Sequence, residues 1–182
     1  QALSSYCLDG IKTNISFLQK LLAVPEFKEA KLSTRFIEQH HATLFPEEKQ
    51  TSKGNHAIVL ATLYMLEKKM LQRQQKAKFA TDSTSPWYTS ASWRLNETGF
   101  CRLHFRKNDQ DISVDVEFEE ILYKIRIGDN IFKGKADLSG HTLRAEINNH
   151  KSYVQVSETA GQITVYSKFG HYSFQIPETK FD

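Results

Sequence analysis

One segment constrains the fold of this chain more than any other. Residues Ala57–Leu66, AIVLATLYML, hold a single polar side chain, Thr62. A helix on a protein surface shows a polar stripe, whereas this run is apolar nearly all round for almost three turns and has to be surrounded by protein. It is too short to cross a bilayer. A buried strand competes for so short a run. However, the segment continues through Met70-Leu71 to about residue 76 among Glu, Lys and Gln, with no β-branched enrichment after Val59, and this favours a helix. The reading is a helix over residues 55–76 whose buried contacts are Ile58, Leu60, Leu63 and Leu66, with Tyr64 as a core residue that spends one hydrogen bond.

From Trp93 onward the hydrophobic period changes to two. Cys101, Leu103 and Phe105 alternate with Arg102, His104 and Arg106, and Ile112, Val114, Val116 and Phe118 alternate with acids and Ser113. Ile121, Tyr123, Ile125 and Ile127 follow, then Leu143, Ala145 and Ile147, then Val154 and Val156, Ile163 and Val165, and Tyr172, Phe174 and Ile176. Turn residues separate them: Asn108-Asp109, Gly128-Asp129-Asn130, Ser139-Gly140, Asn148-Asn149, Ala160-Gly161 and Phe169-Gly170. With one more strand near Ile131–Lys135, this is a meander of about eight short antiparallel strands over residues 93–177, one face buried and the other wet. Closing such a meander into a barrel removes its edges, and the barrel's interior must then be filled. The chain supplies one helix that needs burial on every side. The expected fold is therefore α+β: an antiparallel β-barrel of about eight strands wrapped around a central hydrophobic helix, preceded by short helices in residues 1–45 and a polar linker near 45–54.

Composition sets bounds on function. A chain of 182 residues, 40% hydrophobic and 25% charged, is globular and long enough for a real core. Its formal charge of +3 gives no reason to expect nucleic acid, which needs a concentrated basic face. Lys68, Lys69, Arg73, Lys76 and Lys78 do cluster, and they read as a solvated helix end favoured by the helix dipole. Cys7 and Cys101 form neither a disulfide framework nor a zinc spacing. With no secretory signal and no run near 20 apolar residues, no membrane partner is expected. The acceptor patterns at Asn14-Ile15-Ser16 and Asn96-Glu97-Thr98 read as chance, and a reducing, cytoplasmic setting fits.

Catalytic patterns are missing. The glycines spell neither a dinucleotide fingerprint nor a P-loop. His40 and His41 are adjacent and point different ways on a helix. Asp115, Glu117 and Glu119 share one strand face and could form a metal or acid site, though a solvated face is the favoured reading. No catalytic, cofactor-binding or metal residue is assigned. The candidate site is instead a surface: the polar segment 77–92 carries Phe79, Trp87 and Tyr88, and exposed aromatics on loops are enriched at interfaces. The alternative is that they fold back onto the domain.

The N-terminal segment adds a resemblance. Asp9-Gly10 is a turn dipeptide, Thr13 or Asn14 can cap a helix, Ile15, Leu18 and Leu22 share a face with Phe17 and Leu21 beside them, and Pro25 ends that helix. The run Asp9–Asn14, Phe17-Leu18, Pro25-Glu26-Phe27, Thr34, Phe36-Ile37 and Gln39-His40-His41 resembles the end of a biotin carboxylase domain. Ser85-Pro86-Trp87, Trp93-Arg94-Leu95-Asn96 and Phe174-Gln175-Ile176-Pro177 extend the likeness along the chain. The family is that of the alpha (biotin carboxylase) subunits of acyl-CoA carboxylases, most like those acting on methylcrotonyl-CoA.

The resemblance implies that residues 1–45 are a biotin carboxylase tail and residues 46–182 a bridging (BT) domain. Such a domain is a helix inside a barrel that joins the carboxylase to the carboxyltransferase beta subunit. It implies biotin, ATP and a divalent metal for the parent protein and none for this stretch. The ATP-binding loop would precede Gln1 and the biotinylated lysine would follow Asp182; Lys68-Lys69-Met70 is not the biotinylation motif. The chain's truncated-looking ends fit a piece of a longer protein. Implied partners are the beta subunit and the parent's own carboxylase and biotin carrier domains, in the mitochondrial matrix if the source is eukaryotic. Alternatives are a small-ligand-binding barrel, or the bridge of a propionyl-, geranyl- or acetyl-CoA carboxylase.

Overall fold

The computed structural model describes residues 14–45, 52–78, 99–119, 121–167 and 170–177. Four short helices come first: α1 (Ile15–Ala23), α2 (Pro25–Lys28), α3 (Phe36–Gln39) and α4 (His41–Leu44). Pro25 stands at the first position of α2, where its missing N–H costs nothing, so it ends one helix and starts another. Asn14 occupies the N-cap of α1 but its side chain makes no capping bond. These helices share a small core of Val24, Phe36 and Leu44, with Phe17, Leu21 and Phe27 packed against it. The face of α1 that turns inward thus runs through Phe17 and Leu21, and Leu22, expected on that face, is exposed. Lys20 Nζ donates to the Leu44 carbonyl at 3.2 Å and ties α1 to α4.

The long helix α5 spans Ser52–Lys78, starting earlier and ending later than the apolar pattern alone suggests. Eight strands follow: β1 (Gly99–Lys107), β2 (Gln110–Phe118), β3 (Tyr123–Ile127), β4 (Asn130–Ser139), β5 (Thr142–Ile147), β6 (His150–Thr159), β7 (Gln162–Ser167) and β8 (Gly170–Gln175). Each pairs antiparallel with the next, and β8 returns to β1 at Arg106↔Gln175, so the sheet closes into a barrel. The fold is α+β. At the closing seam, Phe105 and Phe174 meet edge to face inside, 6.0 Å between centroids, and Lys107 lies 5.3 Å from the centre of the Tyr172 ring.

The turns follow their residues. Asn108-Asp109 and Asn148-Asn149 have positive φ at both positions, the pattern of a type I′ hairpin, while Gly128 and Gly140 have it at the first position only, as in type II′. Ala160 breaks this rule: it sits at φ 50° before Gly161, where its Cβ crowds the backbone. Replacing Ala160 with Asn, which tolerates this region, should stabilise the domain by about 1 kcal/mol, read as a higher urea midpoint at unchanged slope.

One expected strand position is corrected. Ile121 does not begin β3 but projects from the β2–β3 connection at 82% exposure. The backbones of Glu119 and Leu122 bond each other in both directions there, so the alternation stops and restarts at Tyr123.

Helix α5 and the barrel wall form one apolar cluster. Ile58, Leu60, Leu63 and Leu66 are all buried, with Leu63 wholly so, and they meet Leu103, Phe105, Val114, Val116, Ile125, Leu143, Ile163 and Phe174. Thr62 is also fully buried, and its hydroxyl has no hydrogen-bond partner among the described residues.

Candidate functional site

Two polar contacts fix the helix lengthwise. Near its start, His56 Nε2 lies 3.4 Å from Ser152 Oγ at the beginning of β6. Twelve residues on, Lys68 Nζ donates to Glu158 Oε2 at 2.6 Å near the end of β6. Twelve helical residues rise about 18 Å and the six strand steps from Ser152 to Glu158 about 20 Å, so α5 runs in the same direction as β6 over a matching length. A third contact joins the helix to β3, where the Tyr123 hydroxyl donates to Glu67 Oε1 at 3.0 Å.

These groups titrate abnormally for physical reasons. Burial raises the Glu67 carboxyl, opposed by the Tyr123 hydrogen bond. Burial, then the neighbouring Glu67 charge, raises the Tyr123 phenol. Lys68 is raised chiefly by its bond to Glu158. The Cys101 thiol, half-buried on β1, is raised by burial and partly offset by Lys69 and Arg73. A thiol held protonated is a poor nucleophile.

His56 provides a pH test. Burial, then the charge of His150, lowers its pKa below 6.5. The unfolded chain therefore binds more protons at His56 than the folded one, and this contribution is complete above pH 6.5 and falls away as the pH drops below it. Between pH 7.5 and about 5.5 the melting temperature should fall, and His56→Gln should flatten that slope.

The outer wall carries charge in pairs. Arg102 holds Asp115 through two contacts, 2.6 and 3.1 Å, and Arg106 holds Asp111 in the same way. Lys124 and Arg126 both reach Glu117, Lys133 reaches Glu119, and Lys135 reaches Glu146. Asp115 and Glu117 of β2 are thus matched by cations on the neighbouring strands β1 and β3, and Glu119, which falls in the connection after β2 and not on its face, is matched by Lys133 of β4. Among the described residues no three His, Cys, Asp or Glu side chains gather as a metal site, and no helix is long and apolar enough to cross a membrane.

The aromatic candidates Phe79, Trp87 and Tyr88 lie outside the described residues. What the structure provides is their frame. The segment departs from the end of α5 at Lys78 and rejoins at Gly99, the first residue of β1. Glu67 of α5 bonds Tyr123, which pairs with Phe118, and Phe118 pairs with Gly99, so the later part of α5 and the start of β1 meet at one end of the barrel. Ala77 and Lys78, expected in the loop, form the last positions of α5. The sequence reading missed the helix anchors. From sequence Lys68 reads as one of a cluster of solvated cations, and its half-exposed place opposite Glu158 shows otherwise.

Comparison with known proteins agrees with this architecture. A family model described as "Methylcrotonyl-CoA carboxylase, alpha-subunit, BT domain" matches residues 54–176. The methylcrotonoyl-CoA carboxylase subunit alpha of Dictyostelium discoideum, named as mitochondrial, is 26% identical over 97% of this chain and 26% of its own length. That of Rattus norvegicus is 28% identical over 99% of the chain and 26% of its own length, and that of Arabidopsis thaliana 30% identical over 52% of the chain and 14% of its own. The chain thus spans about a quarter of the length of the first two of these relatives. With the matched residues running from the start of the buried helix to just past the last strand, the chain belongs to the BT-domain family of methylcrotonyl-CoA carboxylase alpha subunits.

Proposed function

We propose that this chain is a non-catalytic assembly module. It would join a biotin carboxylase to the carboxyltransferase beta subunit of a biotin-dependent acyl-CoA carboxylase acting on methylcrotonyl-CoA. The observation that carries the reading is the filled barrel: α5 occupies the space in which a carrier barrel would hold its ligand, leaving the outer surface and rim for function. Family membership supports the same view. Residues 1–45 would be the biotin carboxylase tail and residues 46–182 the bridging domain. Biotin, ATP and a divalent metal would serve the parent protein elsewhere, and its setting would be the cytoplasm, or the mitochondrial matrix in a eukaryote.

The benefit of such a module is effective concentration. A tethered biotin must visit two active sites, and fixing both within its reach makes each visit intramolecular. Binding energy at interfaces concentrates in a few aromatic anchors, and Trp87, with Tyr88 and Phe79, is the chosen set. Trp87→Ala should weaken association with the beta subunit by about 2 kcal/mol, roughly thirtyfold, while the unfolding midpoint stays put. Equal affinity of the two proteins would remove Trp87 from the interface.

A further inference from the structure

On the barrel wall Arg102, Arg106, Lys124, Arg126, Lys133 and Lys135 each meet an acid, and on α5 Lys68 meets Glu158; three cations farther along α5 meet none among the described residues. Past Leu66 the helix continues for twelve residues to Lys78, about 18 Å of helix. Lys69, Arg73 and Lys76 stand at i, i+4 and i+7 and therefore line one face. Among the described residues no acid pairs with any of them, and no acidic residue lies between Lys68 and Lys78. The helix dipole accounts for cations in the last turn, such as Lys76 and Lys78, but its effect does not reach Lys69 or Arg73. Like charges spaced this way repel and weaken the helix that carries them. The stripe also follows Glu67, which bonds Tyr123, and Tyr123 pairs with Phe118, which pairs with Gly99, so it stands at the barrel end where β1 begins.

We propose that Lys69, Arg73 and Lys76 form a cationic docking stripe for an acidic protein surface. Resting on the assembly reading above, that surface belongs to the carboxyltransferase beta subunit. A protein fits better than a nucleic acid: the stripe is only about 10 Å long, and the adjoining wall alternates in sign, whereas tracking a phosphate backbone needs a broader basic face.

The test is a titration of the beta subunit with the native chain, with K69Q/R73Q/K76Q and with K69E/K76E, at low salt and at about 0.5 M salt. Lys69 and Lys76 are exposed, so the second variant probes charge without disturbing packing. The stripe predicts binding about tenfold weaker at low salt for the glutamine variant and weaker still for the reversed charges, with the curves converging at high salt. Native and variant chains that bind alike with the same salt slope would overturn the stripe while leaving the assembly reading intact. A native chain that does not bind the beta subunit at either salt would overturn both. Binding of a DNA or RNA duplex at about 0.15 M salt, lost in both variants, would overturn the choice of a protein partner.

Discussion

Leu63→Ala should destabilise the domain by about 4 kcal/mol, the largest loss from any single truncation in the helix. Leu63 is completely buried at the midpoint of α5, facing the barrel wall near Gly134 of β4. Removing its branch deletes apolar contact and leaves a space that neither neighbour can fill. The wall is held by ladder hydrogen bonds to both sides, and the helix is pinned at His56 and Lys68. Cavity formation is costly where the surroundings cannot collapse. Leu71→Ala on the same helix is the control: at 39% exposure, beyond the barrel, it should cost less than about 1 kcal/mol. Chemical denaturation of both variants separates a helix that supports the barrel from one that merely lies beside it.

Gly134→Val should cost about 3 kcal/mol, by overfilling the contact that Leu63→Ala would empty. Gly134 is a buried position of β4 with an ordinary strand conformation, so space and not backbone freedom decides its identity. A Cβ there would lie 3.1 Å from the Glu146 carbonyl oxygen, 3.4 Å from Ile147 Cγ1 and 3.5 Å from Leu63 Cδ1. Leu63 can rotate away. The Glu146 carbonyl belongs to the backbone of the paired strand and cannot move without disturbing the β4–β5 register. Gly134→Ala should cost about 1 kcal/mol, and the added methyls of valine should account for the rest. If valine were tolerated, the helix would have to be free to shift within the barrel.

The parts of this fold that could be read from sequence are those that local geometry enforces. A strand alternates its side chains and a helix repeats every 3.6 residues, so an all-round apolar helix followed by a period-two meander points to a helix inside a barrel. The two-residue turns were marked by Asn, Asp and Gly, whose backbones accept positive φ. What could not be read was the match between distant polar groups. Lys68 and Glu158 are 90 positions apart, and Glu67 and Tyr123 are 56 apart, and no periodicity links either pair. Ile121 continued the alternation in phase, and only the mutual backbone bonds of Glu119 and Leu122 show that the chain turns there. On α1 the inward face was set by what Phe36 and Leu44 offered, which shifted it from Leu22 to Phe17 and Leu21. The proposed interface residues Phe79, Trp87 and Tyr88 lie outside the described residues and rest on the sequence alone, as aromatic side chains in an otherwise polar stretch.

The central claim is that a filled barrel acts by holding a partner. Titration calorimetry of the folded chain against the purified carboxyltransferase beta subunit tests it most directly. The account predicts saturable association at a fixed ratio, with a negative heat-capacity change from buried apolar surface. A chain with an intact cooperative unfolding transition that released no binding heat at several temperatures would contradict it.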